Sequence, residues 1–349
     1  MKISIVGTID DTHTKVSGQY DRTEIVKDGL KVAGYDVRFS NMMYWKTNPI
    51  KVFYNIIKNY FWSDAVIIVA SLNGVRMNLN ILKTVGVFSK RPAFQIAVGG
   101  KSNCDFVKNE AKYRKLIKRL CGVFVEIAPM VDEYKNVGID KVFYLPNCKK
   151  IDKTSERVEP SMAAPYRFCT YSRVTPEKGI KEAVEAVERL NKKYGENYCT
   201  LDIYGTYLPE DHQWFEDLMA KASKAITYKA RIERKDSIKT LGQYDLMLFP
   251  TKHVGEGVPG GMIDCYEAGL PIVVCNTSFM STVVLDGKSG FVYEGDDDMN
   301  LDKAIVRYTE GLTNSEKKSM RKKCIDMAYA YDTSSVIETL SQHLDAVKK

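Results

Sequence analysis

The chain has 349 residues, a hydrophobic fraction of 44% and a formal net charge of +7, the profile of about two globular domains rather than a disordered or fibrous chain. No apolar run reaches the roughly 18 residues of a spanning helix, and the opening MKISIVGTIDD runs straight into acids and does not read as a signal peptide. Eight scattered cysteines without a Cys-x-x-Cys pair, and only four histidines, argue against a zinc site and for a reduced, cytoplasmic compartment.

In chain order, KISIVGTI at 2–9 reads as a strand, RTEIVKDGLKVAG as a helix ending at Gly34, and YDVRFS as a second strand. DAVIIVA at 64–70 and AFQIAV at 93–98 are short and wholly or mostly apolar, the pattern of strands buried on both faces of a parallel sheet. GVFVEIA and KVFYLP continue the alternation, which Pro146 and Asn147 close. Residues 149–165 are polar, carry Pro160 and Pro165, and read as a linker. A second alternation starts at RFCTYS. The helix after it is apolar at Ile180, Ala183, Val184, Val187 and Leu190, which is helical spacing. The strand CTLDIYG, a helix near 212–225, and the strands DLMLFP, PIVVCN and GFVYEG follow. The tail, 332–349, is predicted to be a helix that packs back on the first domain. Two consecutive βαβ arrays imply an α/β fold of two facing, doubly wound parallel-sheet domains, 1–149 and 150–331. In such sheets ligands lie beyond the carboxyl ends of the strands, here in a cleft between the domains.

Charge divides unevenly. Residues 1–150 hold 24 Lys and Arg against 13 Asp and Glu, a balance of +11, and the remainder holds 27 against 31, a balance of −4. A basic first half suits an anionic partner, although solvated surface lysines account for the same numbers. KNEAKYRKLIKRL places Lys108, Lys112, Lys115 and Arg119 at helical spacing, and YWKTNPIKVFYNIIKNYFW mixes aromatics with lysines. Both suit an anionic bilayer that holds a lipid-linked acceptor, or else a solvated face and buried rings. No nucleic-acid motif accompanies the charge.

Two stretches combine charge with bare backbone. In YSRVTPEKGI the strand ends at Ser172, and Arg173 and Lys178 fall in the turn before a helix. Free amides and the positive end of the helix dipole attract phosphate there, and two cations suit a diphosphate whose charge grows as it leaves. On these residues alone, a surface turn with two solvated bases fits as well. In EGVPGGMIDCYEAGLP, Gly257, Gly260 and Gly261 let backbone approach a ligand, and Pro259, after Val258, suits the first turn of a helix. Glu256 is placed to accept from sugar hydroxyls, and Asp264 from a ribose diol. A plain loop feeding a helix is the other reading. His253 precedes Glu256 by three residues and reads as a structural or exposed loop histidine before a pocket one. The loop TIDDTHTKVSGQ departs from a Gly-x-Gly-x-x-Gly; its Asp10, Asp11 and His13 read as a plain loop, or as ligands of a metal or acceptor. Asp296, Asp297 and Asp298 precede a helix and read as capping acids rather than a metal triad.

Together these residues resemble glycosyltransferase family four, of the GT-B fold. The matches are Arg173, Lys178-Gly179, Glu256-Gly257, Asp264 and Gly269-Leu270-Pro271, over about 170–295, and the region is most similar to a subgroup found among bacterial capsule and exopolysaccharide enzymes. The resemblance implies a retaining transferase that moves a hexose from a UDP- or GDP-sugar to a glycan or lipid-linked saccharide, without a metal or other cofactor, in the cytoplasm or peripherally at the inner face of the membrane. Its first domain would bind the acceptor and its second the donor. It implies that Arg173 and Lys178 bind the diphosphate, that Glu256 and the backbone of Gly257, Val258, Pro259, Gly260 and Gly261 meet the donor sugar, and that Asp264 holds the ribose. Gly18 and Gly205 join the donor-binding set, and the loop YKARIERKD would cup the base at Arg231 and Ile232. Asp10, His13, Lys101 and Asn103 are the acceptor-side candidates. One departure stands out: where the family carries a histidine after its fourth strand, AVGGKSN at 97–103 has glycines and Lys101. A leaving phosphate that itself helps to take the acceptor proton makes that loss tolerable. A sugar-nucleotide epimerase, a phosphorylase or a non-catalytic sugar-nucleotide-binding protein are the rival readings.

Overall fold

The structure, a computed structural model, describes residues 1–10, 18–86, 91–297 and 299–348. It divides into two compact units: Met1–Lys150 with Gly255–Gly260 and Tyr331–Lys349, and Ile151–Val254 with Gly261–Ala330. Residues 255–260, which the sequence places inside the second domain, thus belong to the first unit.

Among the described residues each unit holds one six-stranded parallel sheet. In the first unit β1 (Lys2–Gly7), β2 (Asp36–Asn41), β3 (Ala65–Ala70), β4 (Ala93–Ala97), β5 (Gly122–Val125) and β6 (Val142–Tyr144) lie in the order β2-β1-β3-β4-β5-β6. Every residue of β3 and β4 is buried, Gln95 included, as expected of central strands covered on both faces. Ile3, Ile5, Val69, Phe94 and Phe124 form one core with Val336, Ile337, Leu340 and Leu344 of the helix Thr333–Asp345. That helix packs on the helix Gly18–Val32 so closely that a Cβ at Gly29 would lie 2.5 Å from Ile337 Cγ1. Lys149 anchors its entry: Lys149 N donates to Tyr331 O and Thr333 N donates to Lys149 O.

In the second unit β7 (Tyr166–Tyr171), β8 (Cys199–Tyr204), β9 (Ile226–Ala230), β10 (Leu246–Phe249), β11 (Ile272–Cys275) and β12 (Gly290–Tyr293) lie in the order β12-β11-β10-β7-β8-β9. The helix Ile180–Tyr194 buries its predicted face, Ile180, Ala183, Val184, Val187 and Leu190. β9 is an edge strand that the sequence reading misses: only Ile226 of its five residues is buried, so no alternation marks it. The stretch 151–165 is no free linker. Ile151 and Met162 are buried, Arg321 donates to Val158 O as well as to Tyr244 O and Gly242 O, and Lys317 Nζ donates to Met162 O. Burial of Lys317 and Arg321 among carbonyls is permitted because each cation is hydrogen-bonded. All eight cysteines are free, and among the described residues no helix is long and apolar enough to cross a membrane.

Candidate active site

The second sheet reverses its strand order between β7 and β10. Loops that leave neighbouring strands in opposite directions open a crevice there, at the carboxyl ends. The loop after β7 carries Arg173 and Lys178, and the loop after β10 starts at Pro250. Sterics lock these two loops together. Gly179 has φ +74°, and a Cβ on it would lie 2.2 Å from Pro250 O. Only glycine takes this conformation at this distance without strain. Lys178, 7% exposed, lies with Nζ 5.6 Å above the Phe249 ring. Lys252 N donates to Glu177 O, and His253 Nδ1 is 3.0 Å from Glu177 Oε2. His253 therefore ties one loop to the other. Arg173 is exposed on the same loop, held between Ser172 N donating to Tyr204 O and Val174 N donating to Thr206 O.

Three further predicted residues lie in this unit. Gly205, φ +141°, follows β8, and a Cβ on it would sit 1.8 Å from Ser172 O. Its glycine is thus demanded by backbone packing against the Arg173 loop. Asp264 is buried in the helix Gly260–Glu267, and Tyr171 Oη, at the end of β7, donates to its Oδ2 at 3.3 Å. Burial and the neighbouring carboxylate push the Tyr171 phenol far above its ordinary pKa, with Arg231 opposing. Tyr171 is therefore a fixed donor that orients Asp264. Gly261 closes on the same strand end, since its Cβ would lie 2.9 Å from Tyr171 O. Arg231, exposed, and Ile232, buried, directly follow β9. The expected base-cupping loop is shorter than the sequence suggests, because Tyr228–Ala230 are strand.

Glu256 lies in the first unit, in a segment held by three strand ends. Gly100 N donates to Gly255 O at 3.0 Å, beyond β4. Asn147 Nδ2 donates to Val258 O at 2.9 Å, beyond β6. Beyond β5, Glu126 accepts from the backbone of Gly99 and Val258. A Cβ on Gly257 would lie 2.0 Å from Glu126 Oε2. Burial raises the Glu126 carboxyl above its ordinary pKa; Arg22 and the two backbone amides oppose, and Glu256 adds to the rise. Arg22 is itself fully buried, donating to Leu145 O and Cys148 Sγ. The sequence reading misses Glu126, Arg22 and Asn147. The one signal is a glutamate that interrupts the apolar run VFVEIA, since a charge inside such a run must be paired or hydrogen-bonded. Glu256 and Val258 are buried, Pro259 and Gly260 are half-buried, and a Cβ on Gly260 would meet Lys149 Cε at 3.1 Å.

The remaining candidates spread over the first unit. Asn103 is 1% exposed and its Nδ2 donates to Val98 O. That bond closes the 98–103 turn. Lys101 is exposed at the start of the helix Lys101–Asn109. Asp10 is buried just past β1, beside Ile9, which exchanges two hydrogen bonds with Asn41. Gly18 is exposed, and a Cβ there would meet nothing within 4 Å. The crowded glycine near β1 is Gly7, whose Cβ would lie 2.7 Å from Thr23 Cγ2. Asp11 and His13 lie outside the described residues, as does Asp298. Asp297 Oδ1 accepts from Met299 N at the start of the helix Met299–Thr309. Among the described residues no group of three or more His, Cys, Asp or Glu is placed to hold a metal.

The two parallel six-stranded sheets match the GT-B class of fold. Solved structures of that class superpose over nearly the whole chain. HepE of Anabaena, in complex with UDP-glucose, has a TM-score of 0.73 at 12% identity, over 99% of this chain and 100% of its own. The sucrose-phosphate synthase of Thermosynechococcus elongatus has a TM-score of 0.77 at 13% identity, over 99% and 98%. The lipopolysaccharide outer core galactosyltransferase WaaB has a TM-score of 0.71 at 12% identity, over 99% of both chains. No curated protein matches the sequence. The family model described as glycosyl transferases group 1 matches residues 152–330. The chain belongs to that family and is a glycosyltransferase.

Proposed function

We propose that the protein is a retaining hexosyltransferase that uses a UDP- or GDP-sugar and acts on a glycan or lipid-linked saccharide during surface polysaccharide synthesis. The observation that carries this reading is the Lys178–Gly179 turn locked against the carboxyl end of β10 at the switch point of the second sheet. A lysine held there meets a diphosphate without reorganising as charge develops on it. Arg173 shares that charge, which is why the donor needs no metal to be bound. Asp264, oriented by Tyr171, takes the ribose diol, and Arg231 and Ile232 flank the base. Glu256 and the Gly257–Gly261 backbone accept and donate to the sugar hydroxyls. The bond from the anomeric carbon to the phosphate oxygen breaks, the acceptor oxygen bonds to that carbon on the same face, and the acceptor proton goes to the departing phosphate. HepE is solved with UDP-glucose, which favours a uridine donor here as well. On this reading the enzyme works in the cytoplasm or peripherally at the inner face of the membrane.

A melting-temperature panel of UDP-, GDP-, dTDP- and ADP-sugars tests the donor, since a ligand of the folded state raises stability with affinity and concentration. One sugar nucleotide is expected to stand out. With that donor, a new glycosidic bond of unchanged anomeric configuration should form only when acceptor is added. Conversion of the donor without acceptor would instead mark an epimerase, and absence of any stabilising sugar nucleotide would overturn the reading.

A further inference from the structure

The helix Pro49–Trp62 in the first unit has two apolar faces, and the described residues cover only one. Val52, Ile56, Asn59 and Tyr60 are buried, with Asn59 Nδ2 donating to Ser40 Oγ on β2. A second row, Ile50, Phe53, Tyr54, Ile57 and Phe61, follows the i, i+3, i+4, i+7, i+11 spacing of a single helical stripe. Ile50 is 83% exposed, Tyr54 61%, Phe61 59% and Phe53 40%. A contiguous exposed row of large apolar side chains marks an interaction surface. Lys51 and Lys58, both exposed and two turns apart, run beside it. Between Asp36 and Asp64 the chain has no acidic residue and four cations, Arg38, Lys46, Lys51 and Lys58.

We infer that this stripe is a docking surface for an anionic lipid bilayer. The inference rests on the proposed lipid-side acceptor for its purpose, but not for its chemistry. Three features select this occupant. The apolar row is rich in Phe and Tyr, which settle at the boundary between headgroups and acyl chains. The flanking charge is of one sign, complementary to anionic headgroups. A second copy of the chain docked through the same stripe would set Lys51 and Lys58 against their own equivalents, with no acid in the segment to offset them. Asn48 caps the helix by accepting from Lys51 N and Pro49 starts it, so the surface is formed before any lipid is met.

Flotation of the full chain with vesicles of phosphatidylcholine alone, or with an equal share of phosphatidylglycerol, reads this directly. The protein should float with the anionic vesicles only, and less so at about 1 M salt, where screening acts over ~3 Å. Lys51→Glu with Lys58→Glu should weaken retention on the order of tenfold or more, and Ile50→Ser with Tyr54→Ser should abolish it. Donor-induced thermal shift should be unchanged in both variants, so a failure of the donor reading and a failure of this one are told apart. Equal flotation of the variants and the parent, or a parent that does not float, would overturn the inference. So would a parent that sediments as a dimer which the Ile50 and Tyr54 substitutions dissociate.

Discussion

The carboxylate of Glu126 occupies the space that a side chain at position 257 would need: a Cβ there would come within 2.0 Å of Oε2. Glu126 also accepts from the backbone of Val258, so one buried acid sets the path of the residues directly after Glu256. Gly257→Ala is expected to lower kcat/KM on the order of 100-fold, the scale at which a misplacement of about 1 Å acts. In a Glu126→Ala background the same substitution should cost little, because the obstructing carboxylate is gone. A double-mutant cycle measures this coupling, and strictly additive losses would show that the contact does not govern the loop.

Lys178→Ala and Glu256→Ala should each reduce turnover by about two to three orders of magnitude, with the melting temperature little changed for Glu256. Lys178→Arg should restore only part of the loss, since a planar guanidinium does not replace a point charge seated over Phe249. Steady-state assays on purified variants check both, and full activity in the two alanine variants would misplace the site.

Gly179 and Gly18 should behave in opposite ways. Gly179→Ala puts a Cβ at φ +74° and 2.2 Å from Pro250 O, a strain of about 1–3 kcal/mol before the clash is counted. Gly18→Ala meets nothing within 4 Å and should leave stability within about 0.5 kcal/mol. Urea denaturation separates the two. A rise in donor KM for Gly18→Ala without loss of stability would tie that position to the diphosphate.

His343 packs on the rings of Phe143 and Phe124, with centroids 4.0 and 5.3 Å away. Burial lowers its pKa below the ordinary 6.5. The unfolded chain thus takes up a proton before the folded one does, and stability falls as pH drops from about 6.5 toward the lower folded value. Melting curves across that window should show the loss in the parent and a smaller loss in His343→Phe.

The parts of the fold that follow from periodicity and burial are legible in the sequence. The apolar strands β3 and β4, the stripe of the helix Ile180–Tyr194 and the Arg173–Gly179 turn all announce themselves through residue type and spacing. β9 does not, because an edge strand with one buried residue carries no alternation. The Glu126 cluster is hidden for another reason. Its partners, Gly99, Asn147 and Val258, are brought together by three separate strand ends, and no local pattern encodes that meeting. Asn103 has a local role that residue type alone does not reveal: its Nδ2 donates to Val98 O across the 98–103 turn.

The first unit is stitched from three distant lengths of chain, and its core needs Val336, Ile337, Leu340 and Leu344. On the ribosome those side chains emerge after the whole of the second unit has been made. The earliest-synthesised sheet must therefore wait with one layer bare, while the later-made unit, whose core draws only on its own residues, is free to finish first. Nascent-chain pausing or a premature stop upstream of residue 333 should consequently leave the older half, not the younger, exposed to chaperones and proteases.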